Sequence, residues 1–277
     1  MNFLSVCFLG LLQGLTEFLP VSSSGHLVIF QALLNIESPG IFLELALHLA
    51  TLFAVMVAYR QDVLALIKEG FAFLGDLIHL RFKEAFDTRA ENRRLLLLIA
   101  AASVPTAILG IGLEDVFERF YDSLLMVGIF LLITGLVLRR TAHVEDGRVA
   151  LHDIGFKRAL LIGTVQGFAI APGISRSGST ISAGLFTGIK KDDAARFSFL
   201  LSLPAVVGSV IFKVKDVFTE GAMVLNLATL ASMVIAFVVG ILSIYFLVAL
   251  LKKDRFGNFG YYCLGAGLVS IILHFVL

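Results

Sequence analysis

Tryptophan is absent from these 277 residues, cysteine occurs only twice, and charged side chains make up 16% of a chain that is 58% hydrophobic. Few water-soluble domains manage with so little charge. Cys7 and Cys263 both lie in apolar runs; two such residues exclude a disulfide framework or a metal–thiolate site, and both read as small core residues. A net charge of +1 excludes a nucleic-acid footprint and an acidic tail, so the placement of the charges carries the information. Also missing are a P-loop, a Gly-x-Ser-x-Gly elbow, a His-Glu-x-x-His pair and a dinucleotide fingerprint. The N-terminus is apolar from Phe3 but lacks a basic leader region and a small-residue cleavage site, and so reads as mature protein rather than signal peptide.

What the chain has instead is long apolar stretches. Ile41 to Tyr59, Leu95 to Leu113, Leu124 to Leu138, Phe197 to Phe212, Val224 to Leu251 and Phe259 to Leu277 give six expected crossings, two of them short. A helix needs about 20 apolar residues, rising about 1.5 Å each, to cross a hydrocarbon core of about 30 Å. Two further apolar regions, Phe3 to Leu34 and Ala159 to Ile189, are each broken by a polar loop rich in Gly and Ser. Irregular backbone at membrane depth is tolerated only where protein buries it or water fills a cavity beside it, so both regions read as re-entrant helical hairpins.

The two breaks resemble each other. Gln13-Gly14 leads to Pro20 and the run Val21-Ser22-Ser23-Ser24-Gly25; Gln166-Gly167 leads to Pro172-Gly173 and the run Ile174-Ser175-Arg176-Ser177-Gly178. This internal match predicts one integral membrane domain over 1–277, with a first repeat over about 1–140 and a second over about 155–277. The expected fold is all-α and polytopic, each half a re-entrant hairpin plus three crossings. Three is odd, so the second half is expected to be inverted and the two loops to meet near the midplane. The basic residues test that topology. With the N-terminus outside, 18 of the 22 fall in loops on the inside, which agrees with both termini outside. Within the longest loop, Val63, Leu66, Ile67, Phe71 and Leu74 recur at helical spacing among charges, predicting a helix on the inner membrane surface.

Ionisable residues inside a membrane are costly, which makes Glu17, His26 and Arg176 functional candidates. Glu17 is expected about 21 Å down the entering arm, facing the opposite loop, with Gln13 four residues earlier on the same face. It reads either as a hard oxygen ligand or as a structural partner of Arg176. Ser22, Ser23, Ser24, Ser175 and Ser177 precede the outgoing arms, expected from His26 and Thr180, where they serve as N-caps or as chemical participants. Two helix N-termini beside Arg176 make an anion site suited to phosphate. A carboxylate in such a site calls for a bridging divalent cation, Mg²⁺ or Ca²⁺. His26 is either a nucleophile or proton carrier, or a polar cap at the cavity mouth. Glu44 and His48 form either a second ligand pair or an interhelical hydrogen bond.

The stretches Leu12 to His26 and Pro172 to Thr180 resemble the two signatures of undecaprenyl-diphosphate phosphatase, the bacitracin-resistance protein family, and Ala46 to Thr51 resembles its third common stretch. The resemblance covers the whole chain. It implies hydrolysis of the C55 lipid diphosphate to the monophosphate, which recycles the carrier for peptidoglycan and other wall polymers. It also implies a divalent cation, a site open to the outer face of the bacterial cytoplasmic membrane, and bacitracin resistance. By position, Glu17 is similar to the family's essential acid and Arg176 to its phosphate-binding arginine, while Ser23 and His26 match residues on which catalysis depends. Ser22, Ser24, Ser175, Ser177 and Thr180 complete the implied phosphate site. Gln13 stands where many members carry Glu, which leaves Glu17 as the principal metal ligand. The implied partners are the lipid substrate and membrane lipid, with no nucleic acid; a homodimer is left open. Inverted repeats are equally the architecture of a lipid or anion transporter, so a flippase using the same pocket remains the competing reading. A pure scaffold would leave Glu17, His26 and Arg176 unexplained.

Overall fold

Where the sequence breaks its first apolar region, the chain breaks its first helix. The computed structural model describes residues 2–34, 40–219 and 225–277. α1 (Phe3–Thr16) starts under Asn2, whose side chain accepts the Ser5 N–H at 2.8 Å, and α2 (Ser23–Leu34) follows after a short turn. The remaining helices are α3 (Ile41–Ala58), α4 (Arg60–Ile78), α5 (Phe82–Ala85), α6 (Glu91–Gly112), α7 (Glu114–Tyr121) and α8 (Leu124–Thr141), then α9 (Phe156–Phe168), α10 (Arg176–Phe186), α11 (Lys191–Thr219), α12 (Leu227–Lys252) and α13 (Phe259–Val276). Among the described residues no strand forms, and a single bridge joins Val149 to Ile189.

Five of these helices are long and apolar enough to cross a bilayer: α6, α8, α11, α12 and α13. A sixth span is reached if α3 and α4, bent 95° from each other, count as one broken span. The protein is thus an all-helical, multi-pass membrane protein, with five or six spans against the six expected. The near-perpendicular α4 is the helix expected in the longest loop. It buries Val63 while Leu64, Ile67, Phe71, Leu74 and Ile78 stay exposed, as suits an amphipathic helix lying against lipid. Arg93 at the start of α6 holds it down, pairing with Glu69 and with Asp76 (3.0 Å) and donating to the carbonyls of Glu84 and Ala85 (2.9 Å each). Arg196 on α11 adds an ion pair to Asp62.

In a bilayer there is little hydrophobic gain in bringing helices together, so close packing over small residues must hold them. At the α8–α13 contact the glycines are reciprocal. A methyl on Gly128 would come within 2.8 Å of the Gly267 carbonyl, and one on Gly135 within 2.9 Å of the Gly260 carbonyl. The first arm of each hairpin is seated likewise. Gly10 and Gly14 of α1 press on Ser232 and Ala236 of α12, and Gly163 and Gly167 of α9 press on Ala102 and Leu109 of α6. These seats fix where α1 and α9 end and therefore where the two polar loops lie. Phe18 and Val21 from the first loop are buried in the main core with Ile181, Phe197 and Phe199.

Candidate functional site

The two loops are built by the same hydrogen bonds. Ser22 accepts the Gly25 N–H at 3.2 Å and touches Ser24 Oγ at 3.3 Å; Ser175 accepts the Gly178 N–H at 3.1 Å and touches Ser177 Oγ at 3.3 Å. Each of these hydroxyls satisfies a first-turn N–H that the helix itself leaves unpaired. The capping starts α2 at Ser23 and α10 at Arg176, three and four residues ahead of the arms expected from the sequence. Ser23, Ser24, Arg176 and Ser177 are therefore helical residues of the first turn. Ser22 has φ +69°, a left-handed conformation unusual for a residue with a side chain. Its Oγ also accepts the Gly173 N–H from the opposite loop at 3.1 Å. Gly173, at φ +100°, has no room for a side chain, since a Cβ would sit 2.9 Å from Phe130 Cβ. Thr134 on α8 completes this seam, donating to the Gly173 carbonyl (2.9 Å) and accepting from the Ser175 N–H (3.2 Å).

Between the loops lies a buried cluster of opposite charges. Arg176 Nη2 donates to Glu17 Oε1 at 2.6 Å, across the gap from one hairpin to the other. Ser23 Oγ and Gln13 Nε2 donate to Glu17 Oε2 at 2.8 and 3.0 Å, and His48 Nε2 lies 4.0 Å from the same oxygen. Both carboxylate oxygens are thus engaged, whereas Arg176 Nη1 is buried with no hydrogen-bond partner among the described residues. A buried donor left unpaired costs about 1–3 kcal/mol, more for a charged group, unless a ligand satisfies it. Glu44 joins Gln13 and Ser23 around a small cavity of about 10 Å³, the room of one water.

The sequence-predicted residues do not all converge. Glu17, Gln13, Ser23 and Arg176 meet directly. Ser22, Ser24, Ser175 and Ser177 sit on the seam, with Ser22 and Ser175 committed to capping. Thr180 turns toward α11, donating to the Arg176 carbonyl at 2.8 Å and meeting Ser198 Oγ at 2.5 Å. His26 is buried, with Nδ1 2.9 Å from the Ser22 carbonyl and Nε2 2.7 Å from the Tyr262 hydroxyl. No hydrogen bond joins it to Glu17, Ser23 or Arg176 among the described residues. His26 instead faces an apolar groove of about 630 Å³ lined by α1, α2, α12 and α13, with Leu19, Phe30, Phe246 and Asn258 among its residues. The pairing of Glu44 and His48 is neither alternative drawn from the sequence. His48 Nδ1 donates to the Glu44 backbone carbonyl at 2.9 Å, which aims the ring at Glu17. Thr134 and Tyr262 went unnoticed, since neither stands in a motif and only packing brings them to the loops.

Among the described residues no group of three or more His, Cys, Asp and Glu could hold a metal ion. The hard oxygen donors on hand are Glu17, the Gln13 carbonyl oxygen, Ser23 and Glu44. Such a set is too sparse for an all-protein cage but fits a small divalent cation that takes its remaining oxygens from a phosphate and water.

A profile of the family described as Bacitracin resistance protein BacA matches residues 6–269. Three proteins named undecaprenyl-diphosphatase align over nearly the whole chain. Those from Desulforapulum autotrophicum and Desulfosudis oleivorans are 44% and 45% identical, covering 97% and 95% of both chains in each pair. The one from Methanosphaera stadtmanae is 42% identical over 100% of both chains. Matched in this way from end to end, the chain belongs to the bacitracin resistance protein BacA family.

Proposed function

We propose that this protein is a membrane phosphatase that hydrolyses undecaprenyl diphosphate to the monophosphate and inorganic phosphate. The observation that carries the reading is the half-used guanidinium of Arg176. Glu17 holds one nitrogen and orients the plane, while the other is buried, charged and unpaired, as a phosphate oxygen requires. The relatives' name supplies the substrate, and the groove beside His26 suits its polyprenyl tail. In this reading the diphosphate enters between α1, α2 and α3, where the cavity of about 10 Å³ must widen to admit it, and the tail runs down the groove. Arg176 binds the terminal phosphate, Ser23 and Gln13 keep Glu17 in place, and His26 offers acid–base capacity at Nε2, the nitrogen its backbone contact leaves available. A divalent cation, held by Glu17 with Gln13 beside it, would neutralise phosphate charge.

The site opens to the outer face in this account, with both termini outside and the protein in the bacterial cytoplasmic membrane. Its product is the carrier used for wall polymers, and regenerating that carrier gives resistance to bacitracin. The matched loop hydrogen bonds and the matched glycine seats of α1 and α9 support two halves related as an inverted repeat. That same pairing is what favours the transporter reading. Against it, Glu17, Ser23 and His26 have Ile170, Arg176 and Ser179 at the aligned places, so the two loops bring different side chains to the site, unlike a pair of equivalent gates. Purified protein in detergent is expected to release inorganic phosphate from undecaprenyl diphosphate, and a chelator to stop it. Full activity in excess chelator would remove the cation, and no turnover in either condition would favour the transporter.

A further inference from the structure

His26 is held from two sides, and the second holder has no assigned role. Its Nδ1 lies 2.9 Å from the Ser22 carbonyl, an atom that can only accept, so Nδ1 carries a proton. In the neutral ring Nε2 then presents a lone pair, and the Tyr262 hydroxyl at 2.7 Å donates to it. The two rings also stack, with centroids 5.5 Å apart and planes within 6°. If the imidazole gains a proton at Nε2, the same hydroxyl can rotate and accept it, so that the partner is kept in both charge states.

Tyr262 is itself placed with care. The adjacent Cys263 donates its S–H to the Pro20 carbonyl at 3.3 Å, which fixes α13 against the first loop. The glycine contacts with α8 hold the rest of the helix. The opposite face of Tyr262 is half exposed and lines the apolar groove alongside His26.

We infer that Tyr262 is a positioning residue for His26: it sets the ring plane, donates to the Nε2 lone pair that the Ser22 contact leaves free, and guards Nε2 on the groove side until substrate arrives. The inference deepens the phosphatase reading and rests on it for its kinetic part only. Tyr262→Phe keeps the stacked ring and deletes the hydroxyl. Orienting partners of this kind are typically worth about 10-fold to 100-fold in activity. Tyr262→Phe is accordingly expected to lower kcat by that amount with little change in KM, whereas Tyr261→Phe, whose ring lies under Arg139, keeps the wild-type kcat.

The deciding measurement pairs those kinetics with ¹⁵N NMR of histidine-labelled protein, His26 being assigned by its loss in His26→Gln. Wild type should show the Nδ1–H tautomer at His26 with its Nε2 resonance displaced by the accepted hydrogen bond, and Tyr262→Phe the same tautomer with Nε2 moved to the position of an unbonded lone pair. Wild-type nitrogen shifts in Tyr262→Phe, or a kcat equal to wild type, would overturn the inference. Absence of phosphate release by wild type would instead strike the phosphatase reading, leaving the NMR arm to decide the positioning role by itself.

Discussion

The turn from Glu17 to Ser22 and the turn from Ala169 to Ser175 use one design for two purposes. In each, a serine caps the outgoing helix through the third N–H beyond it and touches the serine two residues on. In each, the entering arm is seated on another helix by a Gly four residues before a second Gly. Their side chains part company. The first loop has Glu17, Ser23 and His26, and the second offers one cation, Arg176, at the place of Ser23. Backbone symmetry brings two helix N-termini together, where anions are favoured. Side-chain asymmetry then gives the site its proposed chemistry, since one carboxylate and one guanidinium face each other and the Arg176 Nη1 has no partner among the described residues. In the proposed reading the matched turns supply the position, and a few side-chain differences supply the reactivity.

The comparison breaks most severely if the charges trade places. Glu17→Arg combined with Arg176→Glu retains an ion pair between the hairpins but moves the vacant donor to the wrong loop. Phosphate release should fall by about 10³-fold or more, the scale of losing a preorganised anion donor, while the doubly substituted protein still folds. Substantial turnover in the exchanged protein would mean that the charge pair is structural only.

A smaller effect sharpens the contrast between the two capping serines. The Ser175 hydroxyl caps its own helix, and Ser175→Ala should cost about 1 kcal/mol. The Ser22 hydroxyl caps its helix and also accepts the buried Gly173 N–H, so Ser22→Ala orphans a second donor and should cost about 2 kcal/mol or more. Denaturation in mixed micelles reads the difference. Equal losses would show that the bond between the loops contributes nothing.

Much of this was legible in the sequence because it follows from local pattern. The Gly- and Ser-rich breaks at Gln13 to Gly25 and Gln166 to Gly178 mark both helix breaks, and the spacing of Val63, Ile67, Phe71 and Leu74 marks α4. The outgoing arms start earlier than the sequence pattern indicates because Ser23, Ser24 and Ser177 look like loop residues until a preceding serine caps them into a helix. Sequence left Glu17 as either ligand or partner of Arg176. The 2.6 Å contact supplies the partnership, and the free Nη1 leaves room for a ligand as well. Contacts between distant helices left no trace in the pattern. His48 reaches Glu17 from α3, Thr134 braces Gly173 from α8, and Tyr262 meets His26 across 236 positions of chain. Each depends on how helices pack, which periodicity alone does not specify.

In the proposed reading Arg176 binds phosphate through a planar fork of which Glu17 holds one side. The most direct test is phosphate release from undecaprenyl diphosphate by purified Arg176→Lys. Lysine keeps the positive charge but cannot hold Glu17 and a phosphate oxygen in one plane. Arg176→Lys is expected to lose about 10²-fold or more in kcat/KM, the scale of one lost charge-stabilising donor. A kcat/KM equal to that of wild type would contradict it.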